Sequence, residues 1–258
     1  MTLTDAVKWS KNTVAWNIYQ QITPKTGSSF LIKMGFHKIW VDKDYNAGAL
    51  GGFTYGVTTE EMAGGYAALA NDGVYRKATC IRLIVDASNK TVVNETNRDS
   101  KVYDKSASRM MTQMLREVVL SGTGTSANVE NAVVAGKTGT TNASKDVWFC
   151  GYSKYYTTTV WAGYDYPKEM SGVNSRVNAI FKDFMTAVHT NLPVTDFSTV
   201  TQQTTQPETT AAVQEETESL PQETTAIVPE TTGIEQVTPQ QVPSTTAQRS
   251  EERRVGKE

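Results

Sequence analysis

Metal and redox chemistry find little to use in this sequence. Its 258 residues include only two cysteines, Cys80 and Cys150, and two histidines, His37 and His189. Neither histidine lies at ligand spacing or has a cysteine or carboxylate at a diagnostic offset. No metal and no cofactor are expected, and both histidines read as structural or surface residues. Two cysteines define no disulfide framework; both sit on apolar, strand-like segments and read as buried thiols. No apolar run approaches the roughly 20 residues of a membrane-spanning helix, and no signal-peptide pattern opens the chain. A concentrated basic run is also missing, which argues against nucleic acid as a partner.

Aromatic residues are absent after Phe197, and that absence divides the chain. Residues 1–197 hold 21 Lys and Arg against 17 Asp and Glu, whereas the remainder holds 4 against 10. Residues 198–248 are rich in Thr, Gln, Glu and Pro and have too few large apolar groups to offset the entropy of ordering. They read as a disordered acidic spacer. Arg249–Glu258 reads as the translation of a sequencing adapter rather than of a gene, and contributes nothing to the expected fold.

Residues 1–197 carry helical and strand-like patterns. Thr58-x-x-Glu61 is a capping box opening a helix through Met62, Tyr66 and Leu69, which stops at Asn71-Asp72-Gly73. Cys80–Val85 and Thr91–Asn94 predict a hairpin around Ser88-Asn89. Lys105–Leu120 predicts an amphipathic helix whose stripe, Met110, Met111, Met114, Leu115, Val118 and Val119, is assigned to packing. Val133–Thr141, Val147–Tyr152 and Tyr156–Tyr164 predict an antiparallel sheet, covered on one face by a helix over residues 174–190. The expected class is α+β.

Two short motifs carry chemistry. Lys137-Thr138-Gly139-Thr140-Thr141 lies on the first of those three strands. A lysine there brings positive charge, a glycine leaves room for a substrate backbone, and threonines donate hydrogen bonds to a carboxylate. By itself such a segment also fits a glycine-interrupted edge strand with a solvated lysine. Ser10-Lys11-Asn12 falls between two helical stretches, and an ordinary helix start with Asn12 or Thr13 as N-cap would explain the same residue types. Gly136-Lys137-Thr138 resembles the end of a P-loop, but position 131 is Asn131 where that motif needs glycine.

Taken in order, the blocks resemble the transpeptidase domain of class A penicillin-binding proteins. They run from Leu3-Thr4-Asp5-Ala6-Val7 and Ser10–Ala15, through Gly56–Ala63 and Tyr66–Val74, to Ser121-Gly122-Thr123-Gly124. Ala135–Asn142, Asp146–Phe149 with Gly151-Tyr152, and Val160–Asp165 complete the series. The resemblance implies the penicillin-binding-protein and serine β-lactamase-like fold, with a site between a helical part and the sheet edge. It implies peptidoglycan D,D-transpeptidation: a serine attacks the D-Ala-D-Ala carbonyl of a stem peptide, and an amine from a neighbouring strand resolves the acyl-enzyme. Carried over by position, Ser10 relays protons, Asn12 holds the substrate amide and Lys137 supplies charge near Ser10. Thr138 and Thr140 bind the carboxylate beside Gly139, and the Thr140 N–H supplies half of the oxyanion hole. Stem peptides are the implied partners, β-lactams the substrate mimics, and the extracytoplasmic face of the membrane the implied location.

One element of that pattern is absent. No serine in this chain is followed by lysine three residues later, whereas the family places its Ser-x-x-Lys nucleophile motif before Ser-x-Asn. The expectation is therefore an N-terminally incomplete domain, inactive alone and of low solubility, with the nucleophile, a membrane anchor and a glycosyltransferase domain belonging to the parent. A serine β-lactamase or D,D-carboxypeptidase shares the same short motifs. A non-catalytic relative that binds cell-wall peptides through Asn12, Thr138 and Thr140 is the reading from a different class.

Overall fold

The computed structural model describes residues 1–94 and 99–200. All of them fall within one unit, Met1–Thr204, and most of the tail, with the adapter-like terminus, lies outside the described residues. Among the described residues there are six α-helices, and none is long and apolar enough to cross a membrane.

Three short helices open the chain: α1 (Leu3–Lys8), α2 (Asn12–Ile22) and α3 (Pro24–Lys33). A capping box starts α1, with the Thr2 hydroxyl accepting from Asp5 N–H and the Asp5 carboxylate accepting from Thr2 N–H. Only Ala6 of α1 is buried, and α2 buries no residue. After 3-10 turns at Ile39–Asp42 and Asn46–Leu50, α4 (Thr59–Ala70) begins at the Thr58/Glu61 capping box that the sequence predicts. It ends where Gly73 takes φ +90°, its N–H donating to the Ala68 carbonyl. A methyl group at residue 73 would lie 2.2 Å from the Tyr103 carbonyl oxygen, so glycine is required there twice over. Met34, Phe36, Ile39, Ala68 and Val102 form the core of this region.

Strands β1 (Val74–Tyr75) and β4 (Ser100–Lys101) pair antiparallel and frame the hairpin of β2 (Leu83–Val85) and β3 (Thr91–Asn94). The hairpin is present as predicted, but Leu83, Ile84, Val85 and Val92 are exposed. Cys80 is exposed too, and only Cys150 is buried, correcting the expectation of two buried thiols. The segment 80–82 stops short of the sheet, so nothing covers the Cys80 side chain.

Helix α5 (Lys105–Ser121) buries Ser108, Thr112, Leu115, Val118 and Val119. Its buried stripe is rotated from the predicted one: Met110 is exposed, and Thr112 takes a core position by bonding both the Ser108 carbonyl and the Tyr152 hydroxyl. The main sheet follows the expected boundaries closely, with order β5 (Ala135–Thr140), β6 (Asp146–Tyr152), β7 (Thr157–Gly163), all antiparallel. Helix α6 (Val173–Val188) covers one face through Val177, Phe181 and Met185 against Val147 and Phe149. Helices α4 and α5 cover part of the other, where Tyr66, Leu69 and Leu115 meet Ala135 and Tyr152. After α6 the chain crosses to α5, tied by Arg116–Asp196 and by Phe197 edge-on to Tyr152. His189 is buried between the Met185 carbonyl and the Ser153 hydroxyl, while exposed His37 pairs with Glu61.

Candidate active site

The site is built where α1 ends and β5 forms the sheet edge. Helix α1 closes with Ser10 N–H donating to the Val7 carbonyl and Lys11 N–H donating to the Ala6 carbonyl. This is a Schellman cap, whose turning residue adopts the left-handed conformation and is usually glycine. Here the turning residue is Ser10, at φ 53°. An L-residue in that conformation costs about 1 kcal/mol, and such strain persists where the surrounding structure over-determines it.

The end of α1 is fixed from one side by α5. Gly122 N–H donates to the Val118 carbonyl and Thr123 N–H donates to the Lys8 carbonyl. A methyl group on residue 122 would lie 2.6 Å from the Lys8 carbonyl oxygen. Glycine is thus what lets the last turn of α5 approach α1 two residues before Ser10.

From the other side comes Lys137. Paired residues of an antiparallel sheet share a face, so Lys137 projects on the side of its partner Cys150, the face that α4 and α5 partly cover. Its Nζ donates to Ser10 Oγ at 2.8 Å and to the Thr138 carbonyl at 3.0 Å, joining residues 127 apart in sequence. Burial lowers its pKa from 10.5 to about 8. Beside it, burial pushes the Cys150 thiol up to about 12, which keeps the thiolate, the reactive form, unpopulated at neutral pH.

Thr138 and Thr140 alternate to the opposite side of the strand. The Thr138 hydroxyl lies 2.8 Å from that of Thr123, and the Thr140 hydroxyl donates to Asn174 Oδ1 at 3.3 Å. Gly139 sits opposite Trp148 and adds no side chain. Asn12 is the first residue of α2 rather than its N-cap; that position belongs to Lys11, which makes no side-chain capping bond. Neither Asn12 nor Thr13 therefore caps α2, because the Schellman turn already occupies residues 9–11. The exposed Asn12 amide makes no hydrogen bond among the described residues.

Of the six sequence-predicted positions, Ser10 lies in the α1–α2 turn, Asn12 opens α2 and the other four lie on β5; one direct contact, Lys137 to Ser10, joins the two sides. Thr123 was not singled out by the sequence reading, although the Gly122-Thr123-Gly124 string repeats the small-hydroxyl pattern of the strand it touches. Asn174 carried no signal at all.

The ammonium of Lys137 can only donate, so Ser10 Oγ accepts from it and its own hydroxyl hydrogen is left free to point outward. When Lys137 is neutral it can accept instead, and the direction of transfer reverses. The β5 edge thus carries hydroxyls beside a lysine–serine pair able to exchange a proton, and Gly139 leaves room there for an extended backbone.

Comparison with known proteins agrees. Residues 1–186 match the family described as penicillin binding protein transpeptidase domain. The chain is 34% identical over 195 residues to penicillin-binding protein 1F of Bacillus subtilis, covering 72% of this chain and 27% of that protein. Against penicillin-binding protein 1A of Aquifex aeolicus the identity is 38% over 204 residues, covering 76% and 27%. Its fold is similar to that of the penicillin-binding protein PonA1 from Mycobacterium tuberculosis solved with penicillin V, with TM-score 0.64, 21% identity and coverage of 76% and 58%.

The chain therefore belongs to the penicillin-binding-protein transpeptidase family. The relatives it matches include class A proteins of types 1A and 1F, and it spans about a quarter of their length.

Proposed function

We propose that this chain is the substrate-binding and proton-relay part of a peptidoglycan D,D-transpeptidase working through a serine acyl-enzyme. The observation that carries this reading is the 2.8 Å contact between Lys137 Nζ and Ser10 Oγ, with the lysine pKa lowered to about 8. A lysine tuned toward the working pH moves protons in both directions, as acylation and the later aminolysis of the acyl-enzyme require, the serine oxygen losing a proton in the first step and regaining one in the second.

In this mechanism the terminal carboxylate of the stem peptide meets the hydroxyls of Thr138, Thr140 and Thr123. The peptide lies along β5 at Gly139, and the unengaged Asn12 amide holds its backbone. The Thr140 N–H faces the developing oxyanion; removing one such donor typically costs about 3 kcal/mol. β-Lactams enter as mimics of the same peptide, and the work takes place outside the cytoplasmic membrane.

Because no serine here has a lysine three residues on, the chain alone does not form an acyl-enzyme. Its expected behaviour is reversible binding. A fluorescent penicillin should leave no label on this chain under denaturing conditions, while a peptide ending in D-Ala-D-Ala should bind it and lose affinity in Thr140→Val. Covalent labelling of this chain would overturn the assignment of the nucleophile to another segment. Equal peptide binding by the variant would overturn the carboxylate site. The same absence supports the second reading, a relative that binds cell-wall peptides without acylating; a parent protein that takes up no penicillin label would establish it.

A further inference from the structure

One row beyond Lys137, on the same sheet face and roughly 7 Å further along the strands, the register sets Gly139, Trp148 and Trp161 side by side. The Trp148 side chain packs beside Gly139, where a methyl group would already stand 3.2 Å from its Cβ. The Trp161 indole lies over Gly163, where a methyl group would come within 2.3 Å of the ring. The two indoles tilt at 44° with centroids 6.1 Å apart, and Trp161 keeps 38% of its surface exposed. Its Nε1–H donates to Asp146 Oδ1 at 3.1 Å, which fixes the ring and puts a carboxylate at its edge.

Two glycines thus seat two indoles as a half-open shelf, continuous with the Lys-Thr-Gly strand and bordered by an acidic group. Nothing in the relay or the carboxylate site uses it. An indole face is the strongest aromatic partner for an organic cation, and it also packs well against aliphatic chains. The proposed reaction needs such a group: a primary amine, carried on an aliphatic side chain of the neighbouring strand and cationic in solution.

We propose that Trp148 and Trp161, with Asp146, form the subsite that receives the aliphatic amine of the acceptor strand. The inference rests on the transpeptidase reading for its ligand and on sheet geometry for its location.

The test labels the chain with 5-fluorotryptophan and follows its five tryptophans by 19F NMR, with Trp148→Phe and Trp161→Phe supplying the assignments. The probes are Nα-acetyl-lysine amide, which carries the free amine, and its Nε-acetylated form, which does not. The expected result is a shift of the residue 148 and 161 resonances, with the free amine binding roughly two- to fivefold more tightly than the acetylated probe and losing that preference in Asp146→Asn. Equal response to both probes, no response, or a shift confined to other tryptophans would overturn the proposal. So would five resonances collapsed at the unfolded position, since the shelf would then not exist in this chain. A parallel titration with acetyl-D-Ala-D-Ala separates the two readings: its failure with a normal amine response would leave the shelf standing and remove the carboxylate site.

Discussion

The two halves of the site are supported very differently. Lys137 sits on a strand whose neighbours, Phe149, Tyr152 and Phe181, have no exposed surface, and α6 seals the far side of the sheet. Ser10 sits between two short helices, and Asn12 opens the second; together these helices bury one residue, Ala6. One half is fixed by a core, the other by capping bonds and by the approach of Gly122 to Lys8. The lysine's position is therefore insensitive to small changes, whereas the serine's depends on a few backbone contacts.

The largest effect expected from this contrast is in the core. Phe149→Ala or Phe181→Ala should cost about 3–5 kcal/mol, whereas Ile18→Ala, on the exposed side of α2, should stay within about 0.5 kcal/mol. Urea unfolding of the three variants measures the difference directly. Next comes the clamp. Gly122→Ala forces a methyl group against the Lys8 carbonyl and should cost about 1–3 kcal/mol, with loss of D-Ala-D-Ala peptide binding beyond what the stability change explains. If binding survives, α5 does not position Ser10.

Ser10→Gly should act in the opposite direction. It relieves the left-handed strain and should raise stability by up to about 1 kcal/mol, while removing the hydroxyl that Lys137 contacts. A loss of stability would mean that the Ser10–Lys137 contact outweighs the backbone strain.

The sheet half also carries a pH dependence, through Lys137. Burial makes its native pKa, about 8, lower than its ordinary 10.5, so between those values the unfolded chain holds more protons than the native one. Stability should rise as pH rises from about 8 to 10.5, because below that window the full cost of burying the ammonium is present. Lys137→Met should flatten this slope, which chemical denaturation at several pH values would register.

Much of the sheet half was legible from sequence because its signals are local. The β5–β7 runs, the α6 stripe and the Thr58/Glu61 box each declare themselves within a few residues, and family resemblance named Ser10, Asn12 and Lys137. The helical half was less legible because its geometry arises from distant contacts. Ser10-Lys11-Asn12 reads as an ordinary helix start capped by Asn12 or Thr13 until the Ala6 and Val7 carbonyls show Ser10 to be the turn of a Schellman cap. Thr123 gains a role only because α5 ends against α1, and Thr112 reaches the core only because Tyr152 offers it a hydroxyl. Cys80 misled for the converse reason: an apolar, strand-like neighbourhood predicts burial, yet among the described residues Cys80 and its neighbours Leu83, Ile84 and Val85 are exposed.

The measurement that bears most directly on the account is a pH titration of the lysine side-chain amines of the native chain by heteronuclear NMR, with Lys137→Arg to assign the resonance. The account predicts that Lys137 titrates near 8, well below the ordinary lysine value of 10.5. A midpoint for Lys137 among those of the exposed lysines would mean that its amine is solvated and away from Ser10, and the proton relay would fall.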